Sequence, residues 1–354
     1  MITIGEILKV AAGFNASDVH LTVGVPPKMR VNGELVNMEY PRLMPEDCDV
    51  IIGSILDKRR KDIYAEKGEV DFSISVPEVG RYRVNVFRQR GSMAAALRVV
   101  GTEIPNPNDL GVPRAVQDLH KRKRGLVLVT GPTGSGKSTT LASIINLVNT
   151  NSSAHIITLE DPIEYMHKHK KAMVNQREIG LDSMSYNNAL RAALREDPDV
   201  ILVGEMRDFE TISIAVTAAE TGHLVFSTLH TIGASATIDR IIDVFPVHQQ
   251  QQIRVQLSMV LEAVISQQLL PTADHKKRVA AFEVMITNPA IKNLIREGKT
   301  YQIQSMIQTN KKLGMVTMDD ALYDLYRRGI ISGANCLNYS QDIVNMDKRL
   351  RGLM

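Results

Sequence analysis

Tryptophan is absent from the 354-residue sequence, cysteine occurs twice, and aromatic residues make up only 5%. Cys48 and Cys336 can supply neither a disulfide framework nor the four thiolates of a structural zinc site, so both read as reduced structural residues. The shortage of aromatic rings leaves few platforms on which single-stranded bases could stack. No segment approaches the roughly 18 consecutive apolar residues of a membrane span. The opening MITIGEILKVAAGF lacks the basic start and small-residue cleavage site of a secretory signal. The expectation is a cytoplasmic chain without a transmembrane segment. Net charge is only +3, and the basic runs Lys121–Arg124, His167–Lys171 and Lys276–Arg278 are separated rather than gathered into one stripe. They read as solvated loops and predict no nucleic-acid partner.

What is present suits two domains, since 354 residues with 44% hydrophobic content can fill more than one core. Ile4, Ile7, Leu8 and Ala11 fall at helical spacing, and VHLTV, KMRVNGELV and RYRVNVF read as strands, one pair turning at Asn32–Gly33. Residues 1–103 are therefore expected to form a small α+β domain. In residues 104–113, IPNPNDLGVP, three prolines and a glycine disfavour regular structure and mark a linker. Over 114–288 the short apolar strands LVLVT, HIITL, VILVG and HLVFSTL alternate with helical patterns, which predicts an α/β core with a mostly parallel sheet. Helical spacing dominates 289–354.

The sharpest chemical signal is GPTGSGKS, from Gly131 to Ser138, at the end of an apolar strand and the start of an amphipathic helix. Nucleotide phosphates need many backbone donors with no side chains in the way, and a Gly-rich strand-to-helix turn meets that need. Thr133, Gly134, Ser135, Gly136, Lys137, Ser138 and Thr139 are the expected ATP-binding residues. Lys137 brings a point charge toward the β- and γ-phosphates, and Ser138 a hydroxyl for Mg²⁺.

A phosphate loop does not itself orient water or complete a metal shell, so acids must arrive from neighbouring strand ends. HIITL is followed by Glu160, Asp161 and Glu164, with Pro162 stopping the strand; Glu164 is the first choice for polarising the attacking water. VILVG is followed by Glu205 and Arg207, with Gly204 where a Walker B aspartate usually stands. His223 and His230 bracket LVFSTL and read either as structural histidines or as phosphate sensors. On RYRVNVF, alternation puts Arg81 and Arg83 on one face and Tyr82, Val84 and Val86 on the other.

Four ordered blocks, GPTGSGKSTT, TLEDPIEY, LREDPDVILVGEMRD and TAAETGHLVFSTLHT, together resemble the ATPases of type II secretion and type IV pili. The resemblance implies a RecA-like P-loop core behind a PAS-like N-terminal domain, assembled as a homohexamer using ATP and Mg²⁺. It puts Glu160 and Glu164 at the metal and water and Glu205 in the Walker B place beside the metal. It places His223 and His230 at a coupling strand, with Arg207 beside them, and makes Arg83 and Arg98 the arginines sent to the nucleotide.

Two cysteines and no room for a long N-terminal extension set the chain apart from the assembly and secretion branches. PAIKNLIREGK resembles a C-terminal motif of the retraction branch that begins Ala-Ile-Arg, with Lys292 in place of the arginine. The resemblance then implies pilus retraction and twitching movement, an inner-membrane platform protein and other pilus machinery as partners, and a peripheral position on the inner face of the cytoplasmic membrane. Two other readings remain: a ring helicase or nucleic-acid translocase, and an accessory paralogue that does not itself retract.

Overall fold

The computed structural model describes residues 2–101 and 103–352. They fall into two compact units bounded at Glu103 and Ile104, with the short segment Pro162–Met166 grouped with the first. Residues 104–113 contain turns and no helix or strand.

The first unit is α+β. Its opening helix, Ile4–Gly13, starts at a capping box in which Thr3 and Glu6 each bond the other's backbone amide, satisfying two donors that the first turn leaves open. Six strands follow: β1 (Asp18–Leu21), β2 (Lys28–Val31), β3 (Glu34–Asn37), β4 (Glu69–Val76), β5 (Gly80–Gln89) and β6 (Ser92–Val99). They form one antiparallel sheet in the order β3-β2-β1-β6-β5-β4. β2 and β3 join through Asn32 and Gly33, both at positive φ, as a tight hairpin turn requires. On β5 the alternation is clean: Tyr82, Val84 and Val86 enter the core, while Arg83 is exposed on the other face. Ile7, Leu8, Cys48, Ile51 and Ile52 cover that apolar face from the helices, which gives the PAS-like domain one packed side.

The second unit is built on β7 (Gly125–Thr130), β8 (His155–Glu160), β9 (Met173–Glu178), β10 (Val200–Val203), β11 (Leu224–Leu229), β12 (Leu261–Pro271) and β13 (Arg278–Ile286). The order is β13-β12-β7-β11-β10-β8-β9, parallel throughout except for the antiparallel β12–β13 pair. Every residue of β7 is buried, because alternate side chains enter two different cores: Leu126 and Leu128 one, Val127 and Val129 the other. Helix Lys137–Asn151 covers the second face with Leu141, Ile144, Ile145 and Val148. Helices Tyr186–Ala193, Phe209–Glu220, Ala234–Asp243 and Val247–Val260 cover the first. A mostly parallel sheet covered on both faces is an α/β core, and it fits the RecA-like core that the resemblance implies.

Beyond β13, five α-helices follow among the described residues: Pro289–Arg296, Ile303–Thr309, Met318–Arg327, Gly333–Tyr339 and Ile343–Leu350. Met318, Leu322, Cys336 and Met346 pack with Leu270 of β12 and Ala281 of β13 into a further core. Among the described residues, no helix is long and apolar enough to cross a membrane.

Candidate active site

Parallel register decides where the polar groups emerge. Thr130 lies opposite Leu229, and Val203 opposite both Leu159 and Ser227, so β7, β8, β10 and β11 end along one edge. The residues that follow them, from Gly131, Glu160, Gly204 and His230 onward, are therefore delivered to the same side of the sheet.

The loop after β7 closes tightly on β12. A Cβ on Gly131 would stand 2.2 Å from the Gln267 carbonyl oxygen, and one on Gly136 would stand 2.9 Å from Gln267 Nε2. Gln267 Oε1 accepts a 2.8 Å hydrogen bond from Thr140 Oγ1 one turn into the helix. Gln267 thus grips the loop at its start, its end and its first helical turn. Nothing in the motif announces this residue; its signal is the polar stretch Ser266–Gln268 inside a mostly apolar strand.

Helix Lys137–Asn151 begins at Gly136, which offers no side-chain cap, so its N-terminal amides and positive dipole end face the loop. Ser135 Oγ is buried without a hydrogen-bond partner. Lys137 Nζ donates to the carbonyl oxygens of Gly131 at 2.8 Å and Pro132 at 3.0 Å, over its own loop. Uncapped amides, an orphan hydroxyl and a lysine beside them make a receptor for phosphate.

The acids emerge along the same edge, from strands two and three places away in the sheet. Glu160 Oε1 accepts from Thr158 Oγ1 at 2.6 Å and from Gln176 Nε2 at 3.1 Å. Glu205 holds Arg207 at 2.8 Å through one oxygen and faces His230 Nε2 at 3.6 Å through the other. Tyr186 is largely buried close enough to both acids to feel their charge. Burial raises its hydroxyl pKa above the ordinary range, with Glu205, Asp161 and Glu160 adding to the rise and Arg207 opposing it. The same hydroxyl explains Gly204: a Cβ there would lie 2.9 Å from Tyr186 Oη and 3.1 Å from the Leu159 carbonyl oxygen. Tyr186 was not among the sequence candidates. No group of three or more His, Cys, Asp and Glu side chains among the described residues could hold a metal ion unaided.

The structure brings Lys137, Ser138, Glu160, Glu205, Arg207 and His230 to one edge, but it separates His223 from them. His223 precedes β11 at the opposite end, about 20 Å away for a six-residue strand at roughly 3.3 Å per residue. Its Nδ1 is engaged with the Ala218 carbonyl oxygen at 2.9 Å. Glu164 lies on the segment grouped with the first unit. Arg83 and Arg98 also belong to that unit, directly opposed on β5 and β6. Arg98 Nε donates to Asp18 Oδ1 at 2.7 Å. Burial works against ionisation of Asp18, yet hydrogen bonds from Arg98 and Ser17 prevail and lower its pKa.

Comparison with known proteins places the chain in a family. Residues 108–322 match the family described as "Type II/IV secretion system protein". A "Type IV pilus retractation ATPase PilT" of Pseudomonas aeruginosa is 50% identical over 333 residues, covering 94% of this chain and 96% of the relative. A "Twitching motility protein" of Neisseria gonorrhoeae is 50% identical over 306 residues, covering 86% and 82%. The crystal structure of a pilus retraction motor PilT with bound ADP superimposes with a TM-score of 0.91 at 52% identity, covering 98% of this chain and all of that one. The likeness runs through both units, far beyond the phosphate loop. This chain belongs to the type II/IV secretion system protein family, as one of its P-loop ATPases.

Proposed function

We propose that the chain is the motor subunit of a homohexameric ring that turns ATP hydrolysis into retraction of type IV pili. The observation that carries this reading is the convergence of the phosphate loop with Glu160, Glu205, Arg207 and His230 on one sheet edge, in a chain similar along nearly all its length to a retraction ATPase. It works in the cytoplasm, against a platform protein at the inner face of the membrane.

In this reading the loop amides and Lys137 bind the β- and γ-phosphates. Ser138, with Glu160 and Glu205 on the same edge, would hold Mg²⁺ together with phosphate oxygens. The ion's contribution is to neutralise charge developing on the transferred phosphoryl group. Glu164 orients the attacking water, and Arg83 and Arg98 stabilise phosphate charge, a contribution of about a thousandfold or more where arginine fingers act. Glu205 holds Arg207 and His230 where loss of the γ-phosphate alters their balance. His223, remote from the loop, serves coupling between subunits rather than contact with phosphate in its own.

The test pairs purified protein with cells. Lys137→Ala should lower ATP turnover by at least about a hundredfold and abolish retraction and twitching. Cells that still retract pili with an ATPase-dead Lys137→Ala protein as their only copy would end the proposal. In Glu164→Ala, retained turnover would move the water-orienting role to Glu160 or Glu205.

A further inference from the structure

A row of buried polar side chains crosses the second unit beside the phosphate loop. Ser266 on β12 is in register with Thr130 on β7 and with Glu283 on β13, and residues so opposed project from the same face of a sheet. All three are fully buried. A carboxylate in that position is costly unless both oxygens are satisfied. Glu283 meets the need with backbone amides: Oε1 accepts from Ala234 N at 2.8 Å and Oε2 from Met318 N at 3.3 Å. These are the first residues of helices Ala234–Asp243 and Met318–Arg327, so one carboxylate receives the positive ends of two helices. Burial raises its pKa, and the two amide donors act in the opposite sense.

The first of these helices begins where the His230–Gly233 loop ends, and that end is fastened several times. Gly233 N donates to Ser266 Oγ at 2.9 Å, Thr237 Oγ1 donates to the Gly233 carbonyl oxygen at 2.7 Å, and the Thr231 and Thr237 hydroxyls are 2.7 Å apart. Gln341, from the C-terminal helical region, comes within 3.3 Å of where a Gly233 Cβ would be. At the other end of this short loop, His230 faces Glu205. The second helix held by Glu283 belongs to the C-terminal region itself.

We propose that Glu283 is a positioning residue for ATP hydrolysis: by capping both helices it fixes the His230 loop to the C-terminal helical region, so that a shift of His230 at the phosphate edge and a shift of those helices become one movement. The inference rests on the reading of His230 as responsive to the γ-phosphate.

Glu283→Gln keeps the volume and one acceptor but turns an amide NH₂ toward one of the two backbone donors. In the full-length protein we expect kcat to fall about tenfold, a loss on the scale of one buried hydrogen bond. KM for ATP and the Kd for Mg·ADP should change by less than about twofold, because the loop's own anchors, Lys137 and Gln267, are untouched. Cys336→Ala, in the same C-terminal core, serves as the destabilised control and should lower Tm while keeping kcat. If Glu283 acts through His230, adding Glu283→Gln to His230→Ala should cost no further turnover. Turnover of Glu283→Gln within twofold of wild type, or a loss that multiplies with that of His230→Ala, would overturn the inference. Wild-type turnover in His230→Ala alone would instead remove the reading of His230 on which it stands.

Discussion

Replacing Gln267 with Ala tests whether the phosphate loop is held open-handed by its own glycines or by a strand behind it. The substitution removes the acceptor of Thr140 Oγ1, whose residue is 1% exposed, and takes away the amide that lies against Gly136. A buried hydroxyl that loses its partner costs about 1–3 kcal/mol. The Gln267 side chain lies against Gly136 and Thr140, at the end of the loop and its first helical turn, so the cost should fall on the loop conformation that receives phosphate rather than on the fold at large. At about 1.4 kcal/mol per tenfold, Mg·ADP affinity should then drop by about 5- to 150-fold. Titration calorimetry on purified Gln267→Ala reads this directly, with Tm of the nucleotide-free protein measured alongside. Thr140→Val removes the same bond from its other side, so the two changes should be strongly non-additive when combined. Mg·ADP binding within twofold of wild type in both single variants would refute the buttress argument.

Gly204→Ala should destabilise the second unit by about 1–3 kcal/mol through overpacking against Tyr186 Oη and the Leu159 carbonyl oxygen. Tyr186→Phe should recover part of the loss, and thermal unfolding of the single and double variants checks both. Asp320 provides a pH test. Burial works against its ionisation, but hydrogen bonds from Lys311 and Arg349 prevail, so its pKa is lowered in the folded protein. The unfolded chain therefore binds the proton first, and the stabilisation is present above the unfolded value of about 3.9 and lost as pH falls through the lower folded one. Tm measured from pH 5 downward should fall more steeply below pH 4 in wild type than in Asp320→Asn, and parallel curves would contradict the assignment.

How much was legible depended on whether a segment carried its own punctuation. β7, β8, β10 and β11 are short apolar runs bounded by glycine, proline or charge, and each reads directly as a buried strand. β12 does not: helix Val247–Val260 runs straight into Leu261, with no turn residue between, so the apolar spacing gives no sign of where one period yields to the other. β9, MVNQRE, is mostly polar and lacks the apolar run that marked its neighbours. The acids of the site were legible because their chemistry sits at strand ends. Tyr186 and Gln267 were not, because each reaches the site from a distant part of the sequence and earns its place by contact alone. His223 shows the opposite case, since seven residues of separation on one strand become the whole length of the sheet.

The polar stretch Ser266-Gln267-Gln268 is the best argument that the site and the C-terminal region are one mechanical object. Three consecutive polar residues inside a buried strand carry a desolvation cost that apolar residues would avoid. Each offsets that cost with a different partner: Ser266 takes the Gly233 amide, Gln267 takes Thr140 behind the phosphate loop, and Gln268 Nε2 donates to the Tyr339 carbonyl oxygen in the C-terminal helices at 3.3 Å. Alternation along a strand sends neighbours to opposite faces, so Gln267 reaches one side of the sheet while Ser266 and Gln268 reach the other. These bonds join the phosphate loop, the His230 loop and the C-terminal helices to one strand, which is the physical connection the proposed coupling uses.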